Sequence, residues 1–381
     1  MVSTAVPMLR RDVIRLSCIT ISFSLLVTIM AISRTQTTTL RHEKGGDVMD
    51  ENDKLGLDSA ETFVGRDYKI NGHPWPYRAK GIILFTLLHI GAVIGVCCLH
   101  QIKLLTWIFG CVLHVFCQIS ITAGNHRLWA HRTYKAKLPL RIVLMIGQTT
   151  TVQNDIFKWA LDHRVHHKYT DTDADPHNAK RGFFFSHIGW LLLNKLPEFN
   201  EKSKNIDVSD LLADPVVTFQ LRYYTALCTM FGFVMPALVP WGLWGEDFLA
   251  AFFTAGILRC VIGHHTTFLV NSAAHAWGNK PYDIRIDPGE NIAVSVLTTG
   301  EGFHNFHHVF PQDYRTSEHG WRFNLSTAFI DTMSAIGQVT DRRYVSDDVI
   351  RRRQKRTDCK KLVLLFSAKD LCKIHKRSKN I

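Results

Sequence analysis

The sequence predicts an all-α integral membrane protein whose four transmembrane helices form two hairpins. Three observations carry that expectation. Four blocks, residues 81–99, 104–124, 223–244 and 248–271, are nearly free of charge, Arg259 being the one interruption in the last. Each is about 20 residues long, enough at about 1.5 Å per residue to cross a hydrocarbon core about 30 Å thick. The blocks also come in pairs, and their connectors, LHQIK and VPWGLWGED, are too short to return across a soluble domain. Buried core helices of a soluble protein would account for the length of the blocks but not for the pairing.

Taken in order, the chain begins with an extension, residues 1–48. It holds the uncharged stretch LSCITISFSLLVTIMAI, which suits a signal sequence, an extra anchor or an appendage outside the fold. Met49 opens an acidic, loop-like stretch that would itself serve as a natural N-terminus, so residues 1–48 are expected to be dispensable and 49–78 to form an N-terminal segment on the cytosolic side. Residues 79–124 hold the first pair of spans, 125–221 a polar segment, 222–275 the second pair, 276–350 a second polar segment and 351–381 a basic tail. An even number of spans separates the two polar segments, which therefore face the same side. The connectors opposite contain Lys103 as their one basic residue, whereas the long segments are rich in Lys and Arg, which places the polar segments in the cytosol.

The formal charge of +12 admits nucleic acid or a membrane surface as partner. No zinc-finger spacing is present, so nucleic acid is not expected. The run RRRQKR at 351–356 sits beyond the last segment that reads as folded, and suits either the headgroups of an anionic leaflet or a solvated helix face. Nine cysteines without a CxxC pair imply no disulfide framework. Cys97, Cys98, Cys111, Cys117, Cys228 and Cys260 fall in or beside apolar blocks and read as small packed side chains.

Histidine is where the sequence becomes specific. DHRVHHKYTD and EGFHNFHH each place three histidines at i, i+3 and i+4, a spacing that shares one helix face. His163, His166 and His167 are thus expected to converge on one point, and His304, His307 and His308 on another. His126 and His131 in HRLWAH are five apart, about 140° round an α-helix, and need a helix end or a kink to meet. His275, at the end of the last span, is a ninth candidate. His89, His100, His187, His264, His265 and His319 read instead as ordinary packed or hydrogen-bonded residues. Nine imidazoles exceed what one ion needs, since zinc is satisfied by four ligands. Neutral imidazole suits iron, copper, nickel or zinc, and a binuclear site shared by eight or nine histidines is the simplest fit. Beside membrane helices, such a site implies chemistry on an apolar substrate lying partly in the bilayer.

These residues resemble the membrane acyl-CoA Δ9-desaturases, the stearoyl-CoA desaturase-like group, with wording closest to insect members. The resemblance runs from about residue 74 to about 357 through GNHRLWAHRTYKAKLPLR, QND, DHRVHHKYTDTDADPHN, RGFFFSHIGWLL, FQLRYY, LVNSAAHAWG and GEGFHNFHHVFPQDY. It implies four membrane helices under a cytosolic helical cap, in the endoplasmic reticulum membrane, with a di-iron centre held by His126, His131, His163, His166, His167, His275, His304, His307 and His308. Asn271 would reach one iron through water. It implies O2 as co-substrate and a cis double bond placed in a fatty acyl-CoA. The HPGG haem motif of a fused cytochrome b5 is absent, the one His-Pro pair being His73-Pro74 before Trp75-Pro76, and no GxGxxG occurs. A separate cytochrome b5 and its NADH reductase are therefore implied as electron donors.

The same resemblance assigns Gln153, Trp159 and Thr267 to the bend of the acyl tunnel, and Asn154, Asp162 and Lys195 to coenzyme A contacts. His114 and Gln118 fall at the closed end of the tunnel, where related enzymes have tyrosine and alanine. The chain departs from the animal pattern at Leu161 and Asn194, which replace arginine, at Gly81, which replaces asparagine, and at Phe268, which replaces tryptophan. Lys180 and Arg181 are candidates to take over the phosphate contacts. Two other functions remain open at this stage: a related di-iron fatty-acyl hydroxylase, distinguished by an alcohol product, and a histidine-rich metal transporter, which would need its ligands within the spans.

Overall fold

The computed structural model describes residues 69–70, 73–74 and 77–358; the expectations for residues 1–48 and for the tail beyond 358 lie outside these. The chain enters through a short antiparallel pair, β1 (Lys69–Ile70) and β2 (His73–Pro74). Helix α1 spans Ala79–Cys98 and α2 Leu104–Ala130, with α2 wound as a π-helix over Ser120–Ala130. Strand β3 (Lys135–Ala136) precedes α3 (Leu138–Thr150) and α4 (Ile156–Lys168). Then come α5 (Pro215–Trp244) and α6 (Phe248–Ala276), which carry π-helical turns at Met230–Val234 and Phe252–Leu258. Four short elements follow: α7 (Ile292–Leu297), α8 (His304–Val309), α9 (Leu325–Ala335) and β4 (Val339–Thr340). Residues 347–358 form a closing helix, α10.

Among the described residues α1, α2, α5 and α6 are the four helices long and apolar enough to cross a membrane, and the chain is a multi-pass membrane protein. The helices overrun the apolar blocks. Helix α2 continues six residues past 124, so His126 sits on the span and not beyond it, and His275 likewise lies on α6. Helix α5 begins at Pro215 under an Asp214 cap whose side chain accepts from the Val216 N–H, so FQLRYY is helical and the second connector shrinks to Gly245–Asp247. Charge marks where hydropathy falls, not where a backbone ladder ends, and a capped helix runs on into polar sequence.

The described chain forms two compact units. One comprises Gln118–Met145, Trp159–His187 and the chain from His265 onward. Here β3 pairs antiparallel with β4, Lys135 opposite Thr340. The start of the π-helical stretch of α2 is tied to α9 through hydroxyls: Thr122 and Ser326 lie 2.5 Å apart, and Thr299 joins them at 3.0 Å from Ser326. Helix α10 buries Ile350 against Tyr282, Phe306, Phe310 and Val345. Arg353 on that helix donates to the Tyr282 carbonyl and pairs with Asp283. The run 351–356 therefore belongs to the fold, contrary to its reading as a basic tail beyond it.

The other unit contains the chain up to Cys117, Ile146–Lys158 and Ile188–His264. Its core packs Leu88 and Ala92 of α1 against Phe233 and Ala237 of α5 and Phe252, Phe253 and Ile257 of α6. Gly95 is required here, because a Cβ on it would collide with the Phe253 carbonyl oxygen; Gly81 similarly lies against the Leu191 carbonyl, which leaves no room for the asparagine of the related enzymes. At the far end of the spans Glu246 accepts from the Lys103 backbone N–H (2.7 Å) and the Thr106 hydroxyl, while the Lys103 ammonium donates to the Trp244 and Gly245 carbonyls. These bonds join the two hairpin connectors.

Arg259 explains itself in this unit. Its guanidinium donates to the carbonyls of Ala255, Gly256, Gly232 and Thr150 and lies 3.4 Å from Cys117 Sγ. Gly232 and Ala255–Gly256 belong to the π-helical turns of α5 and α6. In hydrocarbon a carbonyl without a donor has no water to turn to. Arg259→Met is expected to destabilise the protein by about 1–3 kcal/mol for each carbonyl left unpaired, read as a lowered melting temperature of the detergent-solubilised chain. An unchanged melting temperature would show that those carbonyls need no donor.

Candidate metal centre

All nine candidate histidines lie in the unit that begins at Gln118, and their imidazoles gather into two groups. His126, His131, His163, His167 and His307 form one; His166, His275, His304 and His308 form the other. In each, the nitrogens lie within 4.8 Å of one another. The closest Nε2 pairs are His131–His163 and His167–His307 at 2.8 Å, His126–His307 at 2.9 Å, His275–His304 at 3.0 Å, His304–His308 at 3.1 Å and His166–His308 at 3.3 Å.

The triplets do not each converge on a point, as their spacing had predicted. They interlock. On α4 the i, i+4 pair His163 and His167 serves the five-histidine group while His166 serves the other; on α8 the i, i+4 pair His304 and His308 serves the four-histidine group while His307 crosses to the five. Both helices thus stand at the seam between the groups, because i+3 is rotated off the i, i+4 line. His126 and His131 meet through the kink their spacing required. The His131 N–H bonds the His126 carbonyl at 3.0 Å, an i→i+5 bond, and π-helical winding brings residues five apart onto one side.

The far side of several rings is held by acids that the sequence reading did not single out. Asp175 lies 2.9 Å from His166 Nδ1, Glu301 2.8 Å from His126 Nδ1 and Asp171 3.7 Å from His275 Nδ1. Glu301 also receives Arg127, a fully buried guanidinium that donates in addition to the Tyr314 carbonyl, Thr327 and Asn324. Burial would raise the Glu301 carboxyl, but Arg127 and His126 outweigh it and hold it at about 2. Burial, with the neighbouring imidazoles second, pushes His131, His163, His167, His304, His307 and His308 well below the ordinary histidine value. The rings of both groups turn their Nε2 atoms to one another. That is a donor set for a soft or borderline divalent cation, and the residues fit a two-metal centre.

Asn305 is another residue that sequence reasoning passed over. Its Oδ1 accepts from the Tyr282 and Asp283 N–H groups, and its Nδ2 donates to the Asp283 and Pro288 carbonyls, all between 2.9 and 3.2 Å. It pins α8 between His304 and His307. A polar residue between two histidines was the available signal.

The expected substrate residues divide. Trp159 stacks on His163 with ring centroids 5.1 Å apart, and Gln118 donates to Thr266 at 2.6 Å with Thr267 3.5 Å from its oxygen. Gln118 therefore does face a neighbouring helix, α6. His114 sits one turn earlier on α2, and Asn271 one turn before His275 on α6. Asp162 is buried on α4 beside His163 of the five-histidine group. In the other unit, Asn154 and Val152 both adopt positive φ (65° and 58°) in a turn that contains the buried Gln153. Gln148 holds the Asn154 carbonyl, and Gln220 in turn contacts Gln148 and the Ile156 N–H. The Lys195 ammonium lies 3.8 Å over the Phe199 ring. Arg181 pairs with Asp173, which makes it a poor stand-in for a phosphate contact. Of the histidines set aside, His187 bonds Ser272 and His265, and His264 bonds the Val152 carbonyl.

A model of the fatty acid desaturase family matches residues 102–319. Stearoyl-CoA desaturase of Homo sapiens is 47% identical over 323 residues, covering 83% of this chain and 90% of its own. Stearoyl-CoA desaturase of Bos taurus is 51% identical over 281 residues, 74% and 78%. Acyl-CoA desaturase 3 of Mus musculus is 46% identical over 342 residues, 86% and 95%.

Asn305→Ala is expected to leave the four backbone groups around it without a partner and to cost several times the roughly 1 kcal/mol of an average hydrogen bond. The checking measurement is the melting temperature, and a change below about 2 °C would mean that α8 is held by other contacts.

Proposed function

This chain belongs to the fatty acid desaturase family, and from that premise we infer that it is an acyl-CoA Δ9-desaturase, an oxidoreductase that places a cis double bond in a saturated fatty acyl-CoA. The observation that carries the site assignment is the convergence of nine imidazoles into two groups of five and four. The nine histidines would hold two irons, and Asn271 would reach the four-histidine group through water. Two irons held there would supply the oxidising chemistry, drawing on O2 and two electrons, that removal of hydrogen from an unactivated methylene requires. Two adjacent carbons each lose one hydrogen; with two protons from solvent, both oxygen atoms leave as water.

The protein's own residues position and protect. Asp175, bonded to His166 at Nδ1, would keep the proton there so that Nε2 stays free to bind, and Glu301 stands 2.8 Å from His126 Nδ1 in the same relation. Trp159, stacked on His163, sets one wall where the acyl chain passes the centre. Gln153 and Thr267 shape its bend, and Asn154, Asp162 and Lys195 receive the coenzyme A end. The electrons come from a separate cytochrome b5 with its NADH reductase. The polar segments outside the spans, residues 131–214 and 277–350, form a cap on the cytosolic face of the endoplasmic reticulum membrane, a placement supported by the scarcity of basic residues in the opposite connectors. Two of the nine histidines lie on spans, yet all nine belong to the two groups gathered in one unit and do not follow a path along the spans, which does not suit a transporter; family membership disfavours that reading too.

Expression in desaturase-deficient yeast, with gas chromatography and double-bond location, tests the activity. Wild type should restore a cis-unsaturated acid, and His166→Ala or His307→Ala should abolish it while leaving membrane-inserted protein. An alcohol product, or a fully active His307→Ala, would refute the assignment.

The same assay reads acyl length. Gln118, anchored on Thr266, occupies space that alanine would leave open, and each methylene excluded forgoes about 0.8 kcal/mol. Two carbons then shift preference roughly tenfold toward chains of about sixteen carbons or fewer. Gln118→Ala should raise the share of longer unsaturated products; a profile that does not move places Gln118 away from the end of the tunnel.

A further inference from the structure

The two histidine groups sit in unequal surroundings of charge. Among the described residues, the carboxylate that pairs with a ring of the five-histidine group is Glu301, and Arg127 offsets its charge through two bonds to Oε1, from Nε at 3.1 Å and Nη2 at 2.8 Å. A second buried guanidinium, Arg164, is anchored on the Trp129 and Ala130 carbonyls, immediately before His131. Behind the four-histidine group stand two carboxylates, Asp175 against His166 and Asp171 against His275. Their other contacts are backbone N–H groups: Asp171 and His177 donate to Asp175, and Ala179 donates to Asp171. No Lys or Arg pairs with either among the described residues, and the nearby Arg181 is engaged with Asp173. Apart from His166 and His275 themselves, His177, 3.5 Å from Asp175, is the further side chain that pairs with these carboxylates among the described residues.

We propose that the two groups are unequal metal sites, and that the four-histidine group, backed by Asp171 and Asp175, holds its divalent transition-metal ion more tightly and fills first. This rests on the reading that both groups bind metal. A dication placed before two uncompensated buried carboxylates gains attraction from both. One placed before a Glu301–Arg127 pair gains little, because the guanidinium repels it as the carboxylate draws it in. Carboxylates behind metal-bound imidazoles are commonly worth 10–100-fold in affinity. Two such groups against one neutralised group separate the sites by at least about tenfold.

The test uses the full-length protein in detergent, loaded with Fe2+ without oxygen and challenged with rising EDTA, bound iron being counted by mass spectrometry. Two ions per chain should leave in two steps, with midpoints at least about tenfold apart in chelator. His131→Ala should remove the early step and His308→Ala the late one. Asp175→Asn, and separately Asp171→Asn, should each move the late step earlier by about tenfold and leave the early step in place; should one variant fail to fold, the other and the wild-type order still decide. Two ions leaving in a single step, the opposite assignment of the steps, or a late step indifferent to both Asn variants would overturn the inequality while leaving the two-metal reading intact. A chain that takes up no iron would overturn both.

Discussion

Nine imidazole Nε2 atoms face one another in a buried volume at separations down to 2.8 Å, and the surrounding structure depends on holding them there. Asp175 lies 2.9 Å from His166 Nδ1 and Glu301 2.8 Å from His126 Nδ1, positions that favour a proton on that side of each ring. The rings crowd one another at hydrogen-bonding distance, and the hydrogen bonds behind them hold them there. Arg127, fully buried and donating to Glu301, Tyr314, Asn324 and Thr327, and Asn305, using all its hydrogen-bonding capacity on the chain near Tyr282 and Pro288, supply that restraint. A folded chain that spends buried polar groups in this way fixes the placement of its imidazoles.

Much of this was legible in sequence, for reasons that can be stated residue by residue. The spans were visible because about 20 residues without charge is a length the bilayer itself sets. The histidines were visible because i, i+3, i+4 spacing puts side chains together on any helix. What spacing could not show is which ring goes to which group. That depends on α4 and α8 meeting at the seam, a tertiary fact, and so His166 and His307 each part from their own triplet. Glu301, Asp171 and Asp175 went unread because an acid near a histidine is common, and only the direction of its side chain makes it a support. The run 351–356 was misread for a related reason: its charges are conspicuous, whereas the residue that docks the helix is the single apolar Ile350.

The π-helical end of α2 is the least legible element and the one on which the five-histidine group turns. Widening a helix to i→i+5 bonds changes which carbonyls find a donor, and at a buried site each must be met by something. The sequence just past the turn meets several. The Tyr134 hydroxyl donates to the Ala123 carbonyl at 2.7 Å, and Thr133 gives both its N–H and its hydroxyl to the Arg127 carbonyl at 2.9 Å. Arg164 then covers Trp129 and Ala130 from α4, the helix that brings His163 and His167. HRLWAHRTY thus contains both His126 and His131 and two of the side chains that stabilise the winding needed to bring them together. The five-residue interval between His126 and His131 follows from this. On an α-helix it would point the rings apart, and four residues would have sufficed; with the widened turn secured by Thr133, Tyr134 and Arg164, five becomes the interval that places both rings in one group.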